Sequence, residues 1–242
     1  MKPYYEHAGI QIFNGDCLEI LPTLPKVDLV LTDPPYKFEP SGGGIFGASG
    51  WDGYQRTNLA RLDALNCCAF NASAFLSLLK PVHLAVFCNK VLLPTYLSFA
   101  ETHGILFDVH VMQKNNPVPT KESSFLPEIE YIVVLRQPRS HFDNSYPFEW
   151  YRKVHYVPQL KGIQKQHPAE KPVSILKKYV GILCPQCGTV LDPYCGSGQT
   201  LVAARAMDRH AIGIEIEEKY CEVAAKRLSQ EVFDFDGVTN EM

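Results

Sequence analysis

The chain has 242 residues, of which 46% are hydrophobic and 20% charged, so it can bury one substantial core and is not expected to be disordered. Its net charge of −3 does not by itself indicate a polyanionic partner, no stretch approaches the roughly 18 apolar residues of a membrane span, and the first residues do not resemble a signal peptide. We therefore expect a cytoplasmic protein that forms one α/β domain over residues 1–242, with its eight cysteines reduced.

The first predicted strand ends in a turn that carries an acid. Residues 10–13 are apolar and β-rich, and Asn14-Gly15-Asp16-Cys17 leads into a short helical stretch that Pro22 and Pro25 end. Asp16 can cap this helix or contact a ligand at the edge of the sheet, and the two roles are compatible.

A second strand ends in a turn with two prolines. Residues 27–32 form an apolar run with the length of a buried strand, and Asp33-Pro34-Pro35-Tyr36 follows it directly, at the kind of position where open α/β sheets bind ligands. The prolines stiffen the turn and remove two N–H donors, which leaves a carboxylate, bare carbonyls and a phenol ring. The exocyclic amine of a nucleobase suits such a turn, although an ordinary Pro-rich turn has the same composition.

A glycine-rich segment follows the turn with two prolines. Residues 37–57 have no periodicity, and we interpret them as a mobile lid loop, with a plain flexible connection as the alternative. The patterns that follow predict helices at 58–79 and 91–102, a buried strand at 84–88, and an antiparallel pair of edge strands at 105–112 and 129–135.

Residues 136–166 mix basic and aromatic side chains without regular periodicity. The longer stretch 136–178 holds nine Lys or Arg against three Asp or Glu, a local balance of +6. Basic groups neutralise phosphates and aromatic rings stack on bases, so this composition favours a nucleic-acid surface, with a solvated charge run as the alternative.

Next, His167-Pro168-Ala169-Glu170-Lys171-Pro172 opens a predicted helix at 173–183. The following Cys184-Pro185-Gln186-Cys187 lacks a second ligand pair at metal-binding spacing, so we predict no metal site.

A late glycine turn indicates the cofactor. Residues 190–191 lead to Asp192, and the turn through Gly196 and Gly198 lacks both the third glycine of a dinucleotide fingerprint and the Gly-Lys of a Walker A loop, which disfavours pyrophosphate. Glu215 ends a strand 23 residues after Asp192, where an acid can accept both ribose hydroxyls. S-adenosylmethionine has a ribose and an adenine without phosphates, and its cationic groups suit the carboxylates of Asp192 and Asp33.

Two of these stretches resemble the motifs of amino-group DNA methyltransferases. Asp33-Pro34-Pro35-Tyr36 matches their DPPY box, and residues 190–200 resemble their cofactor-binding motif. The DPPY-like box precedes the cofactor motif, with the basic aromatic segment between them, and this order resembles the β class. The resemblance implies a Rossmann-like, seven-stranded, mostly parallel α/β sheet with one reversed strand, a circularly permuted motif order and a small target-recognition segment at 136–166.

The resemblance also implies roles for single residues. The Asp33 carboxylate and the Pro34 carbonyl would accept the two N–H groups of the target amine, with Pro35 and Tyr36 completing the catalytic turn and Tyr36 stacking on a flipped base. Cofactor contacts are implied for Asp16, Asp33, His167, Lys171, Asp192, Tyr194, Gly196, Ser197, Gly198, Thr200 and Glu215. The chain departs from the family pattern with Tyr194 for Phe, Gln199 for Thr, and Met112 for a Trp that usually precedes a Lys-Asn segment near the target base.

We therefore predict a site-specific adenine-N6 methyltransferase that acts on double-stranded DNA, because Asp rather than Ser at position 33 favours adenine within the resembling family. Cytosine-N4 methylation uses the same chemistry and stays open, whereas the intact acids at 33, 192 and 215 argue against a DNA-binding relative without catalysis. Cytosine-C5 chemistry is disfavoured because the chain has no Pro-Cys dipeptide to supply the nucleophile. The small target-recognition segment leaves a homodimer open, and restriction-modification is not distinguished from other uses of DNA methylation.

Overall fold

The computed structural model describes residues 2–35, 71–79, 83–113, 128–157 and 170–229. Within these residues, nine strands form one sheet in the order β1-β2-β9-β8-β3-β4-β6-β5-β7. The strands are β1 (Tyr5–His7), β2 (Ile10–Asn14), β3 (Leu29–Thr32), β4 (His83–Cys88), β5 (Leu106–Gln113), β6 (Ile129–Arg136), β7 (Val154–Tyr156), β8 (Thr189–Asp192) and β9 (His210–Glu215).

The five central strands run parallel. The pairs β2–β9, β9–β8, β8–β3 and β3–β4 are all parallel. β6 runs in the opposite direction between β4 and β5 and pairs with both. The predicted mostly parallel sheet with an antiparallel β5–β6 pair is thus confirmed.

The described sheet differs from the prediction at its two edges. The predicted seven strands become nine because β1 and β7, with three residues each, add to opposite edges. β1 is antiparallel to β2, so β6 is not the one reversed strand that the sequence predicted. Three-residue strands are too short to show an alternating pattern, which is why periodicity did not reveal them.

Helices cover both faces of the sheet. They are α1 (Cys17–Ile20), α2 (Ala72–Leu78), α3 (Leu93–Thr102), α4 (Val173–Leu183), α5 (Gln199–Arg205) and α6 (Glu218–Ser229). α4, α5 and α6 pack with Leu31 and Phe87 on one face, and α1, α2 and α3 pack with Val30 and Val86 on the other. Neighbouring residues of one strand face opposite layers, so apolar runs such as β3 and β4 are buried on both sides.

Local signals decide where two of the helices begin. α4 follows Pro172 and has the predicted bounds. α2 is capped by Asn71, whose backbone is extended and whose side chain accepts a hydrogen bond from the N–H of Ala74 at 3.1 Å. The helix predicted over residues 58–79 is therefore interrupted at Asn71, where the backbone is extended and α2 begins, and the part predicted at 58–70 lies outside the described residues.

The described part of the predicted target-recognition segment, residues 136–157, contains a short 3-10 helix at Phe148–Tyr151 and then β7. Tyr146 and Trp150 stack with ring centroids 4.2 Å apart and pack against the core beside α4. Phe148 and Tyr156 are 74% and 67% exposed. The aromatic side chains of this segment therefore divide between packing and surface.

Several predictions lie outside the described residues. These are the lid loop at 37–57, Tyr36, His167, the Lys-Asn segment at 114–117 and residues 158–166. Among the described helices, none is long and apolar enough to cross a membrane.

Candidate active site

Four acidic side chains lie at the carboxyl ends of four adjacent strands. Asp16 follows β2, Glu215 ends β9, Asp192 ends β8 and Asp33 follows β3. These strands are neighbours in that order and run parallel, so all four acids lie at the same edge of the sheet. Residues from distant parts of the sequence are thereby brought to one surface.

The turn after β2 is attached to the end of β9. The N–H of Gly15 and the side-chain amide of Asn14 both donate to the carbonyl of Glu215, each at 3.0 Å. Asp16 caps α1, because its Oδ1 accepts a hydrogen bond from the N–H of Leu18 at 2.8 Å. The capping role is thus confirmed, and a second carboxylate oxygen remains for the predicted ligand contact.

The Glu215 carboxylate organises the backbone on both of its sides. Its Oε2 accepts from the N–H of Gly196 and its Oε1 from the N–H of Glu217, both at 2.9 Å. Burial raises the pKa of Glu215, although these N–H groups act in the opposite direction. Each oxygen can accept more than one hydrogen bond, so the carboxylate keeps capacity for ribose hydroxyls.

Asp192 is a buried acid with neutral hydrogen-bond donors. It is 4% exposed, and its Oδ1 accepts from the hydroxyl of Thr32 at 2.7 Å and from the N–H of Tyr194 at 3.2 Å. Burial raises the pKa of Asp192 to about 6, against the effect of these donors and of Thr200. The charge of nearby Asp33 raises this pKa further. A positively charged ligand close to Asp192 would therefore be stabilised.

The glycine turn needs glycine at two positions. Gly196 and Gly198 have φ of 49° and 83°, in the left-handed region that side chains disfavour. A Cβ on Gly198 would also lie 2.9 Å from the Cβ of Ala224 on α6. The glycines let the turn fold tightly at the end of β8 while α5 packs closely on α6.

A network of hydrogen bonds between Ser197, Glu170 and Arg227 stabilises the glycine turn. Ser197 is buried, and its hydroxyl donates to Glu170 Oε1 at 2.8 Å, while Arg227 on α6 binds the same carboxylate at 3.0 Å. Burial acts to raise the pKa of Glu170, but the hydrogen bonds from Ser197 and Arg227 lower it overall. The side chain of Ser197 is thus engaged within the protein, and its predicted cofactor contact stays a prediction.

Tyr194 forms one wall of the same edge. It is partly buried, its ring centroid lies 5.7 Å from that of Phe75, and burial raises the pKa of its phenol. The aromatic ring thus packs against α2, while the backbone N–H of the same residue donates to Asp192.

Asp33 is held in an ion-pair cluster with Lys171 and Glu130. Lys171 Nζ lies 2.5 Å from Asp33 Oδ2 and 3.2 Å from Glu130 Oε2. The side chains are 8% exposed for Lys171, 18% for Asp33 and 15% for Glu130, and the ammonium lies 5.2 Å from the ring centroid of Phe87. The carboxylate of the proline turn is therefore held as an anion at the carboxyl edge of β3.

The structure thus brings together most of the predicted site residues and adds others. Those described at this edge are Asp16, Asp33, Pro34, Pro35, Lys171, Asp192, Tyr194, Gly196, Ser197, Gly198, Thr200 and Glu215. The sequence did not single out Glu130, Thr32, Glu170 or Arg227. The available signal was Lys171 at the start of a predicted helix, where a cation is unfavourable for the helix dipole and is stabilised by a carboxylate partner.

Comparison with known proteins identifies the family. The model of the DNA methylase family that covers N6 and N4 enzymes matches residues 27–226. The chain belongs to this family. It is therefore a DNA methyltransferase, with S-adenosylmethionine as the methyl donor, of the β class that the motif order predicted.

Individual relatives resemble this methyltransferase over most of its length. The type II methyltransferase M.ScaI of Streptomyces caespitosus is 25% identical over 262 residues, covering 95% of this chain and 84% of the relative. The crystal structure of the M1.HpyAVI–SAM complex shares the fold with a TM-score of 0.64 at 24% identity, over 91% of this chain and 100% of that one. The PvuII cytosine-N4-specific DNA methyltransferase has a TM-score of 0.68 at 17% identity, over 96% and 90%.

Proposed function

We propose that this methyltransferase transfers a methyl group to the N6 amine of an adenine flipped out of double-stranded DNA, with Asp33 as the hydrogen-bond acceptor that orients the amine. The observation that carries the proposal is the position of Asp33 at the carboxyl end of β3, held as an anion by Lys171 and next to the strand that ends at Asp192. The type II relatives support a role in restriction-modification.

The residues at this edge fit S-adenosylmethionine. Glu215 would accept the ribose hydroxyls, Asp16 would lie by the adenine, and Tyr194 would supply an aromatic wall. Asp192, a buried acid with a pKa raised to about 6, would favour the cationic groups of the ligand. When bound, S-adenosylmethionine supplies an electrophilic methyl group on a sulfonium.

The protein's part in the chemistry is to orient the target amine and exclude water. The lone pair of an exocyclic amine is delocalised into the ring, so the nitrogen is a poor nucleophile. Hydrogen bonds from its two N–H groups to the Asp33 carboxylate and the Pro34 carbonyl favour a more tetrahedral nitrogen. The bond between the methyl group and the sulfonium sulfur would break as the N–C bond forms, leaving a neutral thioether, and the Asp33 carboxylate can accept the proton that the nitrogen then loses.

The described part of residues 136–166 is proposed to face DNA. Arg152 and Lys153 precede β7, and the nearby Phe148 and Tyr156 are exposed. This combination of cations and rings supports contact with phosphates and bases. A homodimer and a cytoplasmic location stay predictions from the sequence.

Cytosine-N4 methylation is the alternative within the same chemistry. The PvuII enzyme shares the fold and is described as cytosine-N4-specific, so fold alone does not favour one base. Asp33 supports adenine only through its resemblance to family members with Asp at this position. An inactive DNA-binding relative is disfavoured because Asp33, Asp192 and Glu215 are all retained.

The base can be identified directly. We expect DNA from a host that produces this protein to contain N6-methyladenine in one short sequence context, measured by nucleoside mass spectrometry and methylome sequencing. A host that produces an Asp33→Ala variant is the control and should lack the modification. N4-methylcytosine in place of N6-methyladenine would establish the alternative.

A further inference from the structure

Glu130 lies far from the predicted motifs in sequence but reaches the catalytic edge because β6 is reversed. β6 begins at Ile129, and Tyr131 pairs with Cys88 at the carboxyl end of β4. Only an antiparallel strand presents its first residues at the edge where its parallel neighbours end. Glu130 thus enters the active site from the opposite direction to Asp33.

Glu130 and Asp33 share one ammonium group. Lys171 Nζ lies 2.5 Å from Asp33 and 3.2 Å from Glu130, and all three side chains are at most 18% exposed. Two carboxylates thus contact one ammonium at largely buried positions, where such contacts are stronger than at a surface. This arrangement differs from the exposed pair Lys226–Glu222 on α6, whose side chains are 71% and 57% exposed.

Sharing the ammonium has a consequence for Asp33. A carboxylate that binds a buried ammonium by itself has much of its charge neutralised, so it accepts a further hydrogen bond more weakly. A second carboxylate attracts the same ammonium, so the positive charge does not act on Asp33 alone. Asp33 then stays positioned by Lys171 and remains a strong acceptor for an incoming amine.

We infer that Glu130 is a positioning residue for methyl transfer, which acts through Lys171 to keep Asp33 positioned and available to the target amine. The inference rests on the proposed function of Asp33. Glu130 does not need to touch the substrate or the cofactor in this role.

The test is a double-mutant cycle in single-turnover methylation with saturating S-adenosylmethionine and DNA. Glu130→Gln should lower the rate by roughly tenfold or more, less than the hundredfold or more expected when a direct acceptor is lost. Glu130→Asp, which keeps the charge, should recover much of that loss. In a Lys171→Met background, Glu130→Gln should change the rate by less than about twofold, because its effect is transmitted through Lys171. Affinity for S-adenosylmethionine, measured by calorimetry, should match the parent in Glu130→Gln.

The control is Glu222→Gln, which removes an ion pair outside the site and should keep the parent rate. A parent rate in Glu130→Gln, an equal loss in the Lys171→Met background, or a Glu130→Asp protein as slow as Glu130→Gln would overturn the inference. If Glu130→Gln melts below the assay temperature, Glu130→Asp decides: a folded protein at the parent rate supports the role of the charge, and one as slow as Lys171→Met contradicts it. Asp33→Ala in the same assay separates the two claims, since a parent rate there would refute the proposed function itself.

Discussion

Asp33 and Asp192 follow similar strands but meet different surroundings. Asp33 faces the ammonium of Lys171, whereas the described hydrogen-bond donors to Asp192 are the uncharged hydroxyls of Thr32 and Thr200 and a backbone N–H. Burial therefore raises the pKa of Asp192 to about 6. The two acids are suited to different tasks, one to accept hydrogen bonds as a held anion and the other to respond to a cationic ligand.

Replacement of Asp33 should abolish activity without unfolding the protein. In Asp33→Ala, Lys171 keeps Glu130 as a partner, and the prolines still define the turn, so the melting temperature should stay close to that of the parent. Loss of the acceptor should slow single-turnover methylation by about a hundredfold or more. A variant that melts normally and methylates at the parent rate would show that the turn is only structural.

The charge of Asp192 should make cofactor binding depend on pH. Below a pKa of about 6 the acid is protonated, and a cationic ligand prefers the ionised form, so affinity for S-adenosylmethionine should rise as the pH increases from 5 to 7. Calorimetry at several pH values measures this change. Asp192→Asn should flatten the profile, and an unchanged profile would mean that the ligand does not sense this carboxylate.

At the scale of elements, the segment before α4 connects two parts of the site. Glu170 reaches the glycine turn through Ser197, and its neighbour Lys171 reaches Asp33 after β3. Arg227 on α6 binds the carboxylate of Glu170. The segment before α4 is thereby connected to the glycine turn, to the turn after β3 and to α6, all of which are distant from one another in sequence.

Loss of the Glu170 carboxylate should loosen this connection. Glu170→Gln weakens hydrogen bonds to a largely buried charged group, so we expect a loss of about 1–2 kcal/mol in the free energy of unfolding and weaker binding of S-adenosylmethionine. Chemical denaturation and calorimetry measure the two effects. Glu222→Gln breaks an exposed ion pair and should change neither; equal effects in both variants would refute a specific role for Glu170.

The segment before β7 should contribute to DNA binding through Arg152 more than through Lys153. Lys153 is already paired with Asp108, so neutralising it removes less free positive charge. Arg152→Gln should weaken DNA binding and reduce the slope of log affinity against log salt by about one, measured by fluorescence anisotropy. A slope equal to that of the parent would assign Arg152 to the solvated surface, and Lys153→Gln is the matched comparison.

At the scale of the whole molecule, buried histidines should make the fold sensitive to acid. Burial lowers the pKa of His83, His110 and His155 to about 4. The unfolded chain takes up protons near pH 6.5 while the folded one does not, so stability should fall as the pH decreases from about 6.5 towards 4. Asp192 and Glu215 act in the opposite direction because the pKa of each is raised, but they are two groups against three.

We expect the melting temperature to fall by several degrees between pH 7 and pH 5. Differential scanning calorimetry measures this change. His110→Gln should reduce the dependence on pH, and His7→Gln, at an exposed position in β1, should not. A melting temperature independent of pH over this range would contradict the buried neutral state of these histidines.

The parallel core of the sheet and the positions of its acids were predictable from local patterns. Apolar runs of four to six residues that end in Asp33, Asp192 and Glu215 are local patterns, and parallel strands bring their ends to one edge whatever their order. The bounds of α4 and the antiparallel pair β5–β6 were also readable, since each is a long element with clear periodicity.

The contacts between side chains at those strand ends depend on the tertiary structure. Lys171 meets Asp33 and Glu130 because three separate elements converge, and no local pattern encodes which carboxylates share an ammonium. The same holds for Tyr146 and Trp150. The composition of their segment indicated a surface for bases, but both rings pack on α4. Periodicity reports whether a side chain is buried, whereas its partner depends on contacts between residues far apart in the chain.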